Sequence, residues 1–252
     1  MTTLTVAAAQ SFSLAGDLPG NIRRHLRFMQ QAAEQGVELL VFPELSLTGY
    51  ERSLAGALAI APDAAVLQPL RDLARELRLV TVVGMPIRLS AGGPVLIGAL
   101  TFKADGSQQV YSKQHLHDGE EQAFAPGTGG ATLSIGDDTV ALSVCADFSH
   151  ASHARHAAQS GANLYAAGVL ITGNGYAPDT ALLEGYAREH AMAVLMANHG
   201  GVTGGWESAG RSAIWAEDGQ QVVAAAGTGD ALVIGRRVAG HWRGEVVEVS
   251  GW

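Results

Sequence analysis

Apolar positions along this chain alternate between short runs of strand length and longer stretches with a helical spacing of three to four. Leu4–Gln10 reads as an opening strand, and Gly16-Asp17-Leu18-Pro19-Gly20 as the turn that follows it. Ile22, Leu26, Met29 and Ala33 then share one helical face, with Asn21 as the expected N-cap and Gly36 as the stop. Val37–Phe42, apolar except for Glu38, reads as a strand of the kind buried on both faces of a parallel sheet, and it ends at Pro43-Glu44. A second helix carries Leu70, Leu73, Ala74 and Leu77 on its buried side, with Pro69 near its start. Leu79–Val83, Val95–Phe102 and Gln108–Tyr111 read as three further strands, the last two joined by a hairpin around Asp105-Gly106. Residues 114–130 form a long polar loop with a Pro126-Gly127 turn, and loops of that length in a compact fold are often functional.

The second half repeats the alternation. Thr139–Cys145 is a short buried strand with Val140, Leu142 and Val144 as its apolar set, and a helix carrying Ala154, Ala157 and Ala158 follows, capped by Ser149 or Ser152. Further strands are expected at Asn163–Ala167, Ala193–Ala197, Ser212–Trp215, Gln221–Ala226 and Ala231–Ile234, with a helix over Pro178–Met192. An internal echo runs through the pattern: Ala32-Ala33-Glu34-Gln35-Gly36 resembles Ala157-Ala158-Gln159-Ser160-Gly161, and Arg75-Glu76 and Arg188-Glu189 precede comparable strands. Two related halves of one sandwich account for it. The expectation is an α/β fold in which residues 1–252 form a single domain, since no linker interrupts the pattern.

Composition narrows the class. With 252 residues, 47% of them hydrophobic, the chain can bury a sizeable core. The net charge of −8 comes without a Lys/Arg cluster, which argues against nucleic acid or an anionic membrane surface as partner. No apolar run approaches a membrane span, and no charged segment followed by an apolar one opens the chain. One cysteine excludes an internal disulfide framework, so a reducing, cytoplasmic setting is expected.

Chemistry is suggested by what ends the strands. Glu44, Lys113 and Cys145 are each the first polar or reactive side chain past an apolar strand, and in open α/β sheets that edge is where ligands bind. A thiol, a carboxylate and an ammonium are the parts needed to attack an uncharged carbonyl carbon. Backbone N–H groups at the strand-to-helix corner, with Lys113 nearby, favour a Cys145 thiolate. The alternative is a small apolar core cysteine. Other chemistries leave weaker traces: there is no Gly-x-Ser-x-Gly elbow, P-loop, dinucleotide fingerprint or His-Glu-x-x-His. His150, His153 and His156 fan over about 120° of a helix, so only neighbours can share a metal, and a solvated helix face is the expectation. A cysteine–histidine pair is also open, although nothing local selects one of the nine histidines.

Three segments carry a resemblance. Leu39-Leu-Val-Phe-Pro-Glu44-Leu-Ser-Leu-Thr-Gly-Tyr50, Tyr111-Ser-Lys113-Gln-His115-Leu116 and Val144-Cys145-Ala-Asp147 resemble, in order and spacing, the signatures of the nitrilase superfamily of carbon–nitrogen hydrolases. The likeness extends to Gln10, Gly16-Asp17 and Asn21, to Pro126-Gly127, and to Arg188-Glu189, Asn198 and Gly210-Arg-Ser212, so it covers nearly the whole chain. It implies a four-layer α-β-β-α sandwich with mixed sheets that pairs with a second subunit into a homodimer or higher homo-oligomer, and it implies no metal and no cofactor. It also implies roles: Cys145 as nucleophile, Glu44 as general base, and Lys113 as oxyanion stabiliser together with the Ala146 N–H. The family's second glutamate lies in the loop after that lysine, where Glu120 fits the spacing better than Glu121.

The branch is read from the residues after the cysteine. True nitrilases carry Trp-Glu there, whereas Ala146-Asp147 resembles the amidase-like branches. Ser149-His150-Ala151-Ser152 replaces the arginine-containing pattern with which many of those hold a substrate carboxylate. The implied substrate is therefore a small, largely uncharged primary amide, with Tyr50, His117, Ala146, Phe148 and Val169 as the expected substrate-binding wall. A carbamoylase or ω-amidase, an acyltransferase using the same thioester, and a binding protein on this scaffold remain as alternatives. Loss of Glu44, Lys113 or Cys145 would mark the last, and all three are present.

Overall fold

A computed structural model describes residues 3–250. The strands are β1 (Thr3–Gln10), β2 (Leu39–Val41), β3 (Val80–Ile87), β4 (Leu96–Phe102), β5 (Gln108–Ser112), β6 (Leu133–Ile135), β7 (Asp138–Val144), β8 (Leu164–Val169), β9 (Ala193–Asn198), β10 (Ala213–Trp215), β11 (Gln221–Ala224), β12 (Ala231–Val238) and β13 (His241–Glu248). The helices are α1 (Leu18–Glu34), α2 (Ala55–Leu58), α3 (Gln68–Leu77), α4 (Ala151–Gln159) and α5 (Tyr176–His190).

Two mixed sheets result. The first runs β13-β12-β1-β2-β3-β4-β5 and the second β11-β10-β9-β8-β7-β6. In each, three parallel strands form the centre, β1-β2-β3 in one and β7-β8-β9 in the other, flanked by antiparallel neighbours. Side-chain alternation builds the layers. In β1, Leu4, Val6 and Ala8 face the second sheet and meet Val140, Leu142, Leu164 and Ala166, while Ala7 and Ala9 face the helical side with Phe28, Met29, Leu70 and Ala74. A third cluster packs Tyr165, Ala167 and Val194 of the second sheet against Ala154, Leu183 and Ala187 of α4 and α5. The order is thus helix, sheet, sheet, helix. Fully burying each large aliphatic side chain contributes roughly 1.5–3 kcal/mol, so these clusters dominate cohesion.

Local signals differ from expectation at the ends of elements. Asp17, not Asn21, caps α1: its carboxylate accepts from the Gly20 N–H at 2.9 Å, with Pro19 in the first turn. Asn21 is buried and ties Leu14 to Leu47 instead. Neither Ser149 nor Ser152 caps α4, because Cys145–Ser149 first winds as a 3-10 turn and His150 takes the cap position. β13 lies beyond the last strand expected, and its mostly exposed residues explain why it has no apolar signature. The echo is structural: Gly36 and Gly161 both adopt positive φ where a helix turns into β2 and β8, one in each sheet. No described helix is long and apolar enough to cross a membrane.

Candidate active site

Glu44 and Lys113 follow β2 and β5 of the first sheet, and Cys145 follows β7 of the second, so the site forms where two facing sheets end side by side. The backbone around Glu44 is held between them at close range. A Cβ added to Gly84 of β3 would lie 2.6 Å from the Pro43 carbonyl oxygen, and one added to Gly168 of β8 would lie 2.7 Å from that of Phe42. Glycine is required at both positions for Glu44 to enter the crevice. Its far side is held by His199, whose Nε2 meets the Glu44 carbonyl oxygen at 2.7 Å. Burial lowers the His199 pKa to about 4, so the ring is neutral and its Nε2–H is the donor.

Lys113 is fully buried, and its Nζ donates to Glu44 Oε1 at 2.7 Å and to Glu120 Oε1 and Oε2 at 2.8 and 2.7 Å. Glu120 is equally buried and also accepts from the Tyr50 hydroxyl at 2.7 Å and the His117 N–H at 2.8 Å. Glu121 points away and accepts from the Gly119 N–H. Glu44 Oε2 is different: it is buried and has no hydrogen-bond partner among the described residues. It belongs to the carboxyl that interacts with the Cys145 thiol. The thiol also donates to the Leu170 carbonyl at 3.8 Å.

The electrostatics reverse one expectation. Burial, followed by the Glu44 carboxylate, pushes the Cys145 thiol well above its ordinary range, and Lys113 pulls the other way without prevailing. The resting sulfur is therefore a thiol, not the thiolate that the lysine alone suggests. Burial likewise raises Glu44 to about 7, against the pull of Lys113 and with a further push from Glu120. Burial alone would lower Lys113, but the Glu44 and Glu120 carboxylates outweigh it and hold the ammonium charged. The Tyr50 hydroxyl is pushed up by burial and by both glutamates, so it stays a neutral donor. A carboxyl poised near neutrality beside a protonated thiol is suited to moving that proton.

Cys145 also has a φ of +43°, and Leu45, beside Glu44, has +52°. Left-handed geometry costs a non-glycine residue about 1–2 kcal/mol, and such strain is held mainly where a side chain must be aimed. Cys145 opens onto a cavity of about 250 Å³. Its wall includes Glu44, Tyr50, His117, Ala146 and Phe148, with Arg52, Leu170, Ile171, Asp179 and Trp206. Val169, expected there, is instead fully buried among Tyr165, Ala167 and Met196, because strand alternation turns it to the helical side. Leu170 and Ile171 just beyond it line the cavity. Arg52, Asp179 and Trp206 had no local signal. His150, His153 and His156 do not converge: His150 stacks on His115 at 3.8 Å while His153 is buried between Tyr111 and Tyr165. No group of three or more His, Cys, Asp or Glu among the described residues is arranged to hold a metal ion.

Known proteins share this family and fold. The family described as Carbon-nitrogen hydrolase matches residues 5–242. The hydrolase encoded in the pqqF 5' region of Pseudomonas protegens is 30% identical over 241 residues, covering 92% of this chain and 82% of that protein. Among solved structures, a variant of the amidase from Nesterenkonia sp. AN1, with the acetamide moiety of fluoroacetamide added covalently at its active-site cysteine, superposes with a TM-score of 0.83 at 28% identity. It covers 92% of this chain and 89% of that one. Nit3 of Saccharomyces cerevisiae, from branch 10 of the nitrilase superfamily, superposes at 0.85 with 20% identity, covers 93% of this chain and 89% of its own, and shares the fold.

Proposed function

Because this chain belongs to the carbon-nitrogen hydrolase family, we propose that it hydrolyses a small primary amide to a carboxylic acid and ammonia through a cysteine thioester. The observation that carries the reading is Lys113, bonded to both Glu44 and Glu120, while the second Glu44 oxygen has no hydrogen-bond partner among the described residues and the Glu44 carboxyl interacts with the Cys145 thiol. Glu44 takes the thiol proton as sulfur attacks the amide carbon. The oxyanion that forms meets Lys113 Nζ and the Ala146 N–H. Glu44 then passes its proton to the amide nitrogen, the C–N bond breaks, and ammonia leaves. A water molecule, deprotonated by Glu44, attacks the thioester and returns the thiol, so one amide and one water give one acid and one ammonia. Glu120, steadied by Tyr50 and the His117 N–H, holds Lys113 in place.

Tyr50, Phe148, Leu170, Ile171 and Trp206 give the cavity the largely apolar wall that a short aliphatic amide needs. Arg52 supports a second reading, an ω-amide of a dicarboxylic acid, because it lines the same cavity and has no ion pair among the described residues. The experiment is ammonia release from short aliphatic amides, ω-amides, N-carbamoyl compounds and nitriles, with Cys145→Ala alongside. Release from aliphatic amides that vanishes in the variant supports the reading, and equal release by the variant defeats it. Loss of ω-amide turnover alone in Arg52→Met selects the second reading. The family's pairing of subunits leads us to place the enzyme in a homodimer or larger assembly, which sedimentation would check.

A further inference from the structure

We propose that Asp147 is a positioning residue that sets the separation of Lys113 and Cys145 by fastening the two sheets to one another at the ends of their strands. The inference rests on the roles given to those two residues above.

The sheets meet mainly through apolar contacts, with the Arg237–Asp138 ion pair at the far end of β7, and burial of apolar surface is non-directional. It brings layers together without fixing how one slides on the other. The proposed chemistry needs more, because Lys113 rides on the first sheet and Cys145 on the second, and a catalytic set works only when held within about 0.5 Å. Asp147 supplies direction. It is fully buried, and its Oδ1 accepts from the backbone N–H groups of Gln114 at 3.0 Å and His115 at 2.8 Å, the two residues after Lys113. Its Oδ2 accepts from the Val144 N–H at 3.1 Å, the residue before Cys145, and from the Tyr111 hydroxyl at 2.7 Å, two residues before Lys113. One carboxylate thus grips the chain on both sides of the lysine and next to the cysteine.

The network behind it is ordered in the same sense. His153 Nε2 lies 2.7 Å from the Tyr111 oxygen and its Nδ1 lies 2.8 Å from the Tyr165 hydroxyl, on β8 of the second sheet. Tyr165 donates to Nδ1, Nε2–H donates to Tyr111, and the Tyr111 proton is left pointing at Asp147. Cohesion alone gives no reason for this arrangement, since well-packed apolar residues are commonly as stabilising as buried charges. A carboxylate with four charge-assisted bonds differs from an apolar plug in that it fixes geometry.

The test uses Asp147→Asn, which keeps the shape but forces an NH2 group against one of the N–H donors. Alkylation by iodoacetamide followed by intact mass counts intact Cys145 sites at completion, and its rate reports the thiol. Turnover per counted site should fall about a hundredfold with KM changed less than about threefold, as expected for displacement on the order of 1 Å. Tyr111→Phe removes one of the four bonds, together with the hydroxyl's contacts to His153 and the Gln114 side chain, and should lower turnover per site about tenfold, with slower alkylation in the same rank order. A folded Asp147→Asn whose turnover per site stays within about twofold of the parent, or whose loss is confined to KM, overturns the proposal. If Asp147→Asn does not fold, Tyr111→Phe decides alone by the same criterion. Turnover persisting in Cys145→Ala would defeat the thioester reading instead, which keeps the two failures apart.

Discussion

Lys113 lies between Glu44 and Glu120, and Arg237 lies between Asp138 and Glu217. Both clusters join one cation to two carboxylates. The Arg237 cluster is closed: the guanidinium takes both oxygens of Asp138 at 2.6 and 2.7 Å, and Glu217 is shared with the Trp242 indole, itself under the guanidinium. It joins β12 of the first sheet to β7 of the second, and none of its contacts among the described residues is to Glu44, Lys113 or Cys145. The Lys113 cluster is fully buried, leaves Glu44 Oε2 without a hydrogen-bond partner among the described residues, and borders a cavity. Desolvating ions is expensive, so a buried cluster with an open valence is poor construction for stability and good preparation for chemistry. The difference teaches that the count of ion pairs says little, and that an unused oxygen says much.

The comparison breaks first at Lys113. Lys113→Met should lower kcat/KM about a thousandfold, as removal of a main oxyanion donor does, in an assay of ammonia release. Glu44 and Glu120 would then be buried without a cation, so their carboxyls would favour the proton and the variant should melt higher as pH is lowered.

Glu120→Gln sharpens the contrast through pH. The wild-type kcat/KM should show an acid limb near pH 7, because in the proposed mechanism Glu44 must be ionised to take the thiol proton and its pKa is raised to about 7. Removing the Glu120 charge takes away one of the causes of that rise, so the limb should move to lower pH while the plateau falls about tenfold or more. The stability sign runs the other way. Glu44 prefers its proton when folded, so its contribution is full below the ordinary 4.5 and is lost as pH rises towards 7. Glu44→Gln should flatten the melting temperature across that interval.

Smaller effects come from the outer contacts. Tyr50→Phe removes only the hydroxyl on Glu120 and should cost about tenfold in kcat, measured at saturating amide. Arg237→Met should leave turnover per site unchanged while lowering stability by about 3 kcal/mol in calorimetry, since it strands the nearly buried Asp138. A loss of activity there would erase the distinction between the clusters.

How much of this was legible follows from distance along the chain. Glu44 and Cys145 announce themselves because each ends a largely apolar run and Lys113 because it ends a strand, and the helix and strand periods show which faces are buried. The spacing after Lys113 also pointed to Glu120 over Glu121, and the structure puts Glu120 on the lysine. Contacts that join remote segments left no local mark. Arg52 and Asp179 reach the cavity from separate loops and helices, and the bonds of Asp147 to Tyr111 and Gln114 span 36 and 33 residues. The expected thiolate failed for a related reason. The lysine is visible as a neighbour in type, whereas burial and the opposing carboxylate, which outweigh it, exist only in the folded crevice.

The positive φ at Cys145 has a consequence for what selection can improve. A chain tuned only to resist heat would carry glycine there, because glycine adopts that turn freely and any β-carbon resists it. Of two inactive variants, Cys145→Gly should therefore outlast Cys145→Ala in a thermal melt. Stabilising screens that do not also demand turnover will drift toward that glycine, and durability and reactivity are set against each other at a single backbone angle.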